Sequence, residues 1–331
     1  MSLPAIRQIR EIFPHARLIL VARPWVADLY ARESSIDGVI PYPAPGGWGA
    51  RREFAERLRQ ERFDCAILLQ NAFDAALMAW MARVPRRVGY GRDGRGWLLT
   101  DAIPVPEPGE IPRHQKFYYL ELLRRAGWIE HFPSGDAVRL EGLGAARESG
   151  AAHLKALGIS SPAIGISPGA AYGGAKRWLP ERFAETASRL CGGSHAALVF
   201  GSAAERALAG QVAETLRGRR IEVLNLAGET TLREFIDLAA ACRLFLTNDS
   251  GAMHVASALA VPTVAIFGAT DDTATGPTGP LTRVIRRDAE CSPCLLRECP
   301  IDHRCMTGVT ADQVATAAFA LWEESATVEH T

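Results

Sequence analysis

Residues 243–268 read RLFLTNDSGAMHVASALAVPTVAIFG, and the fold is decided there. An apolar run, Leu244-Phe245-Leu246, stops at Thr247-Asn248-Asp249-Ser250-Gly251. A helix-like segment over 252–259 follows, Pro262 ends it, and a second apolar run over 263–267 closes at Gly268. Strand, tight turn, helix, strand is one βαβ unit of a parallel sheet. The turn is the informative part. Asn248, Asp249 and Ser250 are residue types that cap helices, and Gly251 lets another group approach the backbone closely. The first N–H groups of the helix, from Ser250 through Gly251 and Ala252 to Met253, then point out of the turn and attract anions, phosphate above all. His254 stands one turn in, near the same mouth. An ordinary capped helix with a buried histidine has the same pattern, so the turn alone does not decide between the two.

Outward from this unit, the second half repeats the same grammar. Strands are expected at 164–167, 197–201, 221–224, 244–247 and 283–285 besides 263–267. Helices lie between the earlier ones, one of them opening at Leu179-Pro180-Glu181, because proline is tolerated in a first turn. Open sheets of this kind bind ligands outside the carboxyl ends of their strands. Three such ends carry small, polar loops, at 167–176, 201–205 and 247–251. The first half alternates too, with strands expected at 18–21, 38–40 and 65–69. Helices are expected at 4–13, 27–32, 51–61, 75–82 and 111–127, with loops at 41–49 and 128–144. This is an α/β chain of two Rossmann-like, doubly wound domains, 1–150 and 151–331, the last helix running over 311–324 and the residues past 325 frayed.

Gly89-Tyr90-Gly91-Arg92-Asp93-Gly94 fits G-x-G-x-x-G by letter. A dinucleotide fingerprint needs a helix to open within the motif, and Arg95-Gly96 breaks any helix before Trp97, so the motif is read as a loop. The arginines around it (Arg83, Arg86, Arg87, Arg92, Arg95) either face a phosphorylated acceptor or form a solvated positive rim.

Composition bounds the partners. The 331 residues balance 37 Lys and Arg against 37 Asp and Glu, which gives no polyanion-binding signature and excludes nucleic acid as a partner. The opening residues MSLPAIRQIREIF lack the apolar core of a secretory signal. The apolar region near 255–269 contains Pro262 and is too short to span a bilayer. The expectation is a cytoplasmic protein with at most peripheral membrane contact.

The donor turn TNDSGAMHVASAL with its following P-x-V-A-I-F-G, SPGAAYGGAKRW at 167–178 and NLAGETTLREFIDLAAAC at 225–242 together resemble the ADP-heptose:lipopolysaccharide heptosyltransferases, glycosyltransferase family 9, most of all its heptosyltransferase II branch. The match covers most of the second half and is looser in the first. The resemblance implies a GT-B fold, two Rossmann-like domains facing a central cleft, with the final helix packing back on the first domain. It implies an inverting transfer of L-glycero-D-manno-heptose from ADP-heptose to the lipid A-Kdo inner core, at the cytosolic face of the inner membrane. No cofactor is then required for catalysis. The family's catalytic lysine maps onto Lys176, and its donor-loop Asp and His onto Asp249 and His254. Thr230, Thr231 and Leu232 sit where the family holds the adenine. Glu205 sits where a carboxylate accepts from ribose hydroxyls, or else it serves the helix dipole of its own N-terminus. The other readings are a transferase for another nucleotide sugar or acceptor, and a donor-binding protein with little turnover.

That last reading follows from the start of the chain. Met1-Ser2-Leu3-Pro4 already opens a helix, whereas the family's matching helix follows a strand and a loop G-D-x-x-M-S-L-P whose aspartate is the proposed base. Aligned so, the first domain lacks its usual first strand and catalytic aspartate. The chain is then expected to bind ADP and transfer sugar poorly, unless this branch starts late and uses another carboxylate.

Of seven cysteines, Cys65, Cys191 and Cys242 fall in apolar elements and read as small core residues. Cys291, Cys294, Cys299 and Cys305 crowd into CSPCLLRECPIDHRC. In a cytosolic protein that crowding argues for a metal or a redox-active pair over structural disulfides. The first pair has zinc-knuckle spacing and the second does not, so a structural zinc, a disulfide and free thiols all stay open. The cluster, which follows the last strand, is given no catalytic role.

Overall fold

The computed structural model describes residues 1–42, 46–135 and 137–328. Residues 43–45 of the expected loop at 41–49, residue 136 of the loop at 128–144 and 329–331 of the expected frayed end lie outside the described residues. Two compact units divide the chain, Met1–Val138 and Arg139–Thr331.

The first unit runs α1 (Leu3–Ile12), β1 (Ile19–Ala22), β2 (Gly38–Pro41), α2 (Trp48–Gln60), β3 (Cys65–Leu68), α3 (Phe73–Met81), β4 (Arg86–Tyr90), β5 (Asp101–Ile103) and α4 (Gln115–Arg125). β1 pairs with β2, and β3, β4 and β5 form a second sheet, both parallel. Among the described residues no strand joins the two sheets. Side chains bridge them instead. Leu18 at the foot of β1 and Ile67 of β3 both pack on the cluster that α1 and α4 form with Ala5, Ile9, Leu120 and Leu123. The helix expected at 27–32 is a 3₁₀ segment, Pro24–Tyr30, which buries none of its residues. Without an apolar face to bury, that segment lacks what stabilises a short α-helix in a protein.

The G-x-G-x-x-G letters fall on β4 and an open turn, and only a 3₁₀ turn, Gly96–Leu98, follows. Arg95 corrects the expectation of a phosphate-facing or solvated arginine. Fully buried, it donates from Nε to Tyr90 O (2.9 Å) and from Nη1 to Gln70 O, so it ties the ends of β3 and β4 together.

The second unit runs α5 (Leu143–Ala156), β6 (Ala163–Ser167), α6 (Pro180–Cys191), β7 (Ala196–Val199), α7 (Arg206–Gly218), β8 (Val223–Asn225), α8 (Leu232–Ala240), β9 (Cys242–Asn248), α9 (Gly251–Ala258), β10 (Thr263–Phe267), α10 (Asp272–Thr275), β11 (Thr282–Arg286), α11 (Arg304–Thr307) and α12 (Ala311–Val328). A boundary at residue 150 would cut α5 in half. The helix belongs wholly to this unit because it lies on α8: Ser149 Oγ donates to Asp237 Oδ2 (2.8 Å), and a Cβ on Gly150 would meet the Asp237 carbonyl oxygen at 2.0 Å. α12 packs on α6 and on β9, β10 and β11, and it continues to Val328, past the end expected at 324.

All six strands are parallel, in the order β11-β10-β9-β6-β7-β8. β6, β7 and β10 are buried at every position, as a sheet covered on both faces requires. Alternate residues serve the two faces. Ile164, Ile166, Leu244, Leu246, Val264 and Ile266 pack with α6, α7 and α12, whereas Ala265 and Phe267 meet Met253 of α9. The chain starts at β6 in the middle, steps out to β8, returns to β9 beside β6, and steps out the other way. Loops leaving β6 and β9 therefore diverge, which opens a crevice at their carboxyl ends.

Candidate active site

Both loops at this switch point carry predicted residues, and the structure joins them. The loop after β6 ends in a 3₁₀ turn, Gly174–Lys176, that delivers the lysine side chain. Lys176 Nζ donates to Asp249 Oδ2 at 2.5 Å, with side-chain exposures of 13% and 6%. The same oxygen accepts from Thr270 Oγ1 at 2.6 Å. A carboxylate with two donors on one oxygen is fixed in place, and it fixes the ammonium in turn.

Asn248 knots the two loops together. Its Oδ1 accepts from Trp178 N (3.0 Å) and its Nδ2 donates to Pro168 O (2.7 Å). Asn248 and Asp249 are thereby used up, which corrects the expectation that they cap α9. Ser250 alone holds the N-cap position, and it makes no side-chain cap bond; its Oγ lies 3.2 Å from Thr247 Oγ1 instead. The first N–H groups of α9, those of Gly251, Ala252 and Met253, are left without a cap from that residue. Met253 is fully buried, so only its backbone faces the turn, and His254 is half-buried in the same turn of helix.

Further along the carboxyl edge, Glu205 closes a capping box. Its Oε2 accepts from Ser202 N and Oγ, both at 2.8 Å. The carboxylate also abuts the β6 loop, where a Cβ on Gly169 would meet Oε1 at 2.1 Å. Glu205 thus serves its own helix start and still reaches the crevice. Thr231 is the N-cap of α8 in a second capping box with Glu234, a T-x-x-E signal readable in the sequence. Thr230 and Leu232 flank it, both half-buried. Gly228, at φ +74°, turns the chain so closely past Ala203 that a Cβ would meet Ala203 Cα at 2.8 Å. That contact brings the 201–205 and 228–232 loops side by side.

The cysteine-rich segment lies on the Lys176 loop. All four of its thiols are free, Cys305 buried and Cys291 exposed. Burial first, and then the neighbouring Cys291, Cys294 and Cys299, push the Cys305 thiol above its ordinary range. Among the described residues no group of three or more His, Cys, Asp or Glu side chains is arranged to hold a metal ion, so the zinc expectation finds no support in this geometry.

The family described as glycosyltransferase family 9 (heptosyltransferase) matches residues 51–304. The chain belongs to that family. It is accordingly a glycosyltransferase. Lipopolysaccharide heptosyltransferase 2 of Salmonella typhimurium is 32% identical over 293 residues, covering 86% of this chain and 84% of the relative. The solved structure of E. coli ADP-heptose LPS heptosyltransferase II superposes with a TM-score of 0.82 at 29% identity, over 98% of this chain and 95% of that one. An E. coli heptosyltransferase solved with ADP shares the fold at 18% identity, with a TM-score of 0.70 over 97% of this chain and 95% of that one. The fold is of the GT-B type.

Three neighbours in this glycosyltransferase's site escape a reading of the sequence. Thr270 braces Asp249. Its place just past the end of β10 was the signal for it, because ligands gather at strand carboxyl ends. Tyr172 lies under Lys176, the ammonium 4.7 Å from its ring centroid. His303 Nε2 lies 3.0 Å from Ala175 O. For these last two no sequence signal exists, since their partners are distant along the chain or chemically unremarkable.

Proposed function

We propose that this glycosyltransferase moves L-glycero-D-manno-heptose from ADP-heptose to the inner core of lipopolysaccharide, with inversion and without a metal at the reaction centre. The observation that carries this reading is the Lys176–Asp249–Thr270 arrangement beside the uncapped start of α9. In the transfer, an acceptor hydroxyl oxygen forms a bond to the sugar C1 as the C1–O bond to the diphosphate breaks on the opposite face. Inversion follows from that in-line geometry. Charge builds on the departing diphosphate, and the Lys176 ammonium and the N–H groups of Gly251, Ala252 and Met253 are the groups to stabilise it. The acceptor proton passes to a base, and Asp249 is badly placed for that role. Its Oδ2 already accepts two hydrogen bonds, and a diphosphate beside it would repel the carboxylate. His254 adds a polar ring at the same helix end. Glu205 and residues 230–232 are assigned to the ribose and adenine.

The heptosyltransferase II relatives support donor and acceptor at the level of their names. The acceptor is a lipid, so the reaction belongs at the cytosolic face of the inner membrane with peripheral contact. Among the described residues no helix is long and apolar enough to cross a bilayer. The test is ADP release from ADP-heptose in the presence of a lipid A-Kdo acceptor bearing one heptose. Heptosylated product with inverted anomeric configuration is expected. Transfer from a different sugar nucleotide in preference, or ADP binding with no transfer, would replace this reading with one of its rivals.

A further inference from the structure

The segment that carries the four cysteines is a strap across the Lys176 loop. At one end Ser292 Oγ donates to Gly268 O (2.6 Å) and Leu295 N donates to Ala269 O (2.8 Å), which anchors it just past β10. In its middle it grips the loop after β6. Tyr172 Oη donates to Leu295 O (2.7 Å), Ala175 N donates to Arg297 O (2.9 Å), and Gly174 N donates to Glu298 Oε1 (2.9 Å). The approach is so close that a Cβ on Gly173 would meet Arg297 O at 2.2 Å, and Gly173 holds a φ of +157°. These contacts place the Arg297 guanidinium 5.3 Å from the ring centroid of Tyr172, the same ring that lies 4.7 Å from Lys176 Nζ. The two cations therefore stand within the sum of those distances of each other.

They differ in one respect. Lys176 is paired with Asp249. Arg297 is exposed, and among the described residues no carboxylate forms an ion pair with it. The exposed guanidinium, beside the same ring as Lys176, is placed to meet an anion that also reaches that lysine. We propose that Arg297 is a second anion-binding residue of this site, which takes the diphosphate of the nucleotide ligand together with Lys176. Tyr172 is the platform that holds the pair, and Glu298, which caps Gly174, is a positioning residue. A guanidinium suits this task, since its planar fork can donate to two phosphate oxygens at once. The proposal rests on the reading that the Lys176 loop faces a nucleotide diphosphate.

The probe is ADP, measured by calorimetry on the full chain at two salt concentrations, against the unaltered protein, Arg297→Ala, Arg297→Lys and Lys176→Ala. Arg297→Ala should weaken ADP binding by about tenfold or more, the scale of one charge-assisted hydrogen bond, and should flatten its salt dependence. AMP, with one phosphate fewer, should lose less. Arg297→Lys should recover part of the ADP affinity. An Arg297→Ala protein that binds ADP as tightly as the parent, while Lys176→Ala does not, overturns the role of Arg297 and leaves the nucleotide site standing. A parent protein that does not bind ADP overturns both. Melting temperature checks the fold, and a variant that melts early is replaced by Arg297→Gln, for which the same two outcomes decide.

Discussion

Lys176 and Asp249 meet at 2.5 Å across the one point where the sheet reverses its direction of growth, on loops that leave neighbouring strands. Neither side chain is free to wander, because Thr270 holds the carboxylate and Tyr172 lies beneath the ammonium. A pair so placed is pre-organised. It has little reorganisation left to do when charge develops on a leaving group, which is the condition under which a cation is worth most.

The first prediction separates the two roles. Lys176→Ala should lower kcat by on the order of a hundredfold or more, the scale for losing one such stabiliser. Asp249→Asn keeps the shape and the bond from Thr270 while removing the charge, so it should lower kcat by only about tenfold. Steady-state kinetics on ADP-heptose reads both. If Asp249→Asn is the more damaging change, Asp249 handles the proton and the assignment above is wrong.

Asn248 supports a second prediction, about stability. It is fully buried, and Asn248→Ala would strand the Trp178 N–H and the Pro168 carbonyl away from water. Each orphaned group costs about 1–3 kcal/mol. Asn248→Asp is the sharper probe, because it retains the acceptor for Trp178 while replacing the donor to Pro168 O with an acceptor. Thermal melts should show both variants well below the parent. An Asp variant as stable as the parent would mean that the knot does not hold the loops.

The β9–α9–β10 unit was legible because its signals are local: two apolar runs, a turn of small polar residues and Pro262 lie within one short stretch. Strand order was not legible, yet it is what brings Lys176 to Asp249 from the far end of another loop. Family resemblance named both residues without saying that they touch. Arg95 shows the opposite failure. An arginine in a glycine-rich turn reads as exposed, and only the carbonyls of Tyr90 and Gln70 around it explain its burial. Arg297 carried no signal, since its partner ring, Tyr172, lies in a loop that only folding brings near.

The thiols give a third prediction. Burial pushes Cys191 up to about 12 and raises Cys242 as well, so neither forms thiolate in the folded chain near neutral pH. Cys65, expected in the core, is instead exposed at the start of β3, so alkylation of reduced protein at pH 8 should reach Cys65 and Cys291 early, and Cys191 and Cys242 only after unfolding. Early labelling of Cys191 or Cys242 would contradict the packing of α6 and β9. The expected structural zinc is the rival outcome: about one zinc per reduced chain, with Cys291, Cys294, Cys299 and Cys305 all withdrawn from the reagent. Four titrating thiols and no metal would discard it.

Glu121 supplies a prediction about pH. Its side chain is fully buried on α4, where it accepts from Arg124 Nε at 2.7 Å and Arg125 Nε at 2.6 Å. Burial alone would raise its carboxyl, but the two guanidiniums outweigh that and hold it below the ordinary range. A carboxyl depressed in the folded state contributes stability above its unfolded value, near pH 4, and loses it as pH falls through the folded one. The guanidiniums are 44% and 20% exposed, so solvent screening keeps the contribution modest. Glu121→Gln should therefore cost about 1 kcal/mol at pH 7, and the gap to the parent should narrow steadily below about pH 4 as the parent's own carboxylate is protonated. Urea midpoints of both proteins across that range read it directly. A gap that stays constant from pH 7 to pH 3 would show that Glu121 acts through packing and not through its charge.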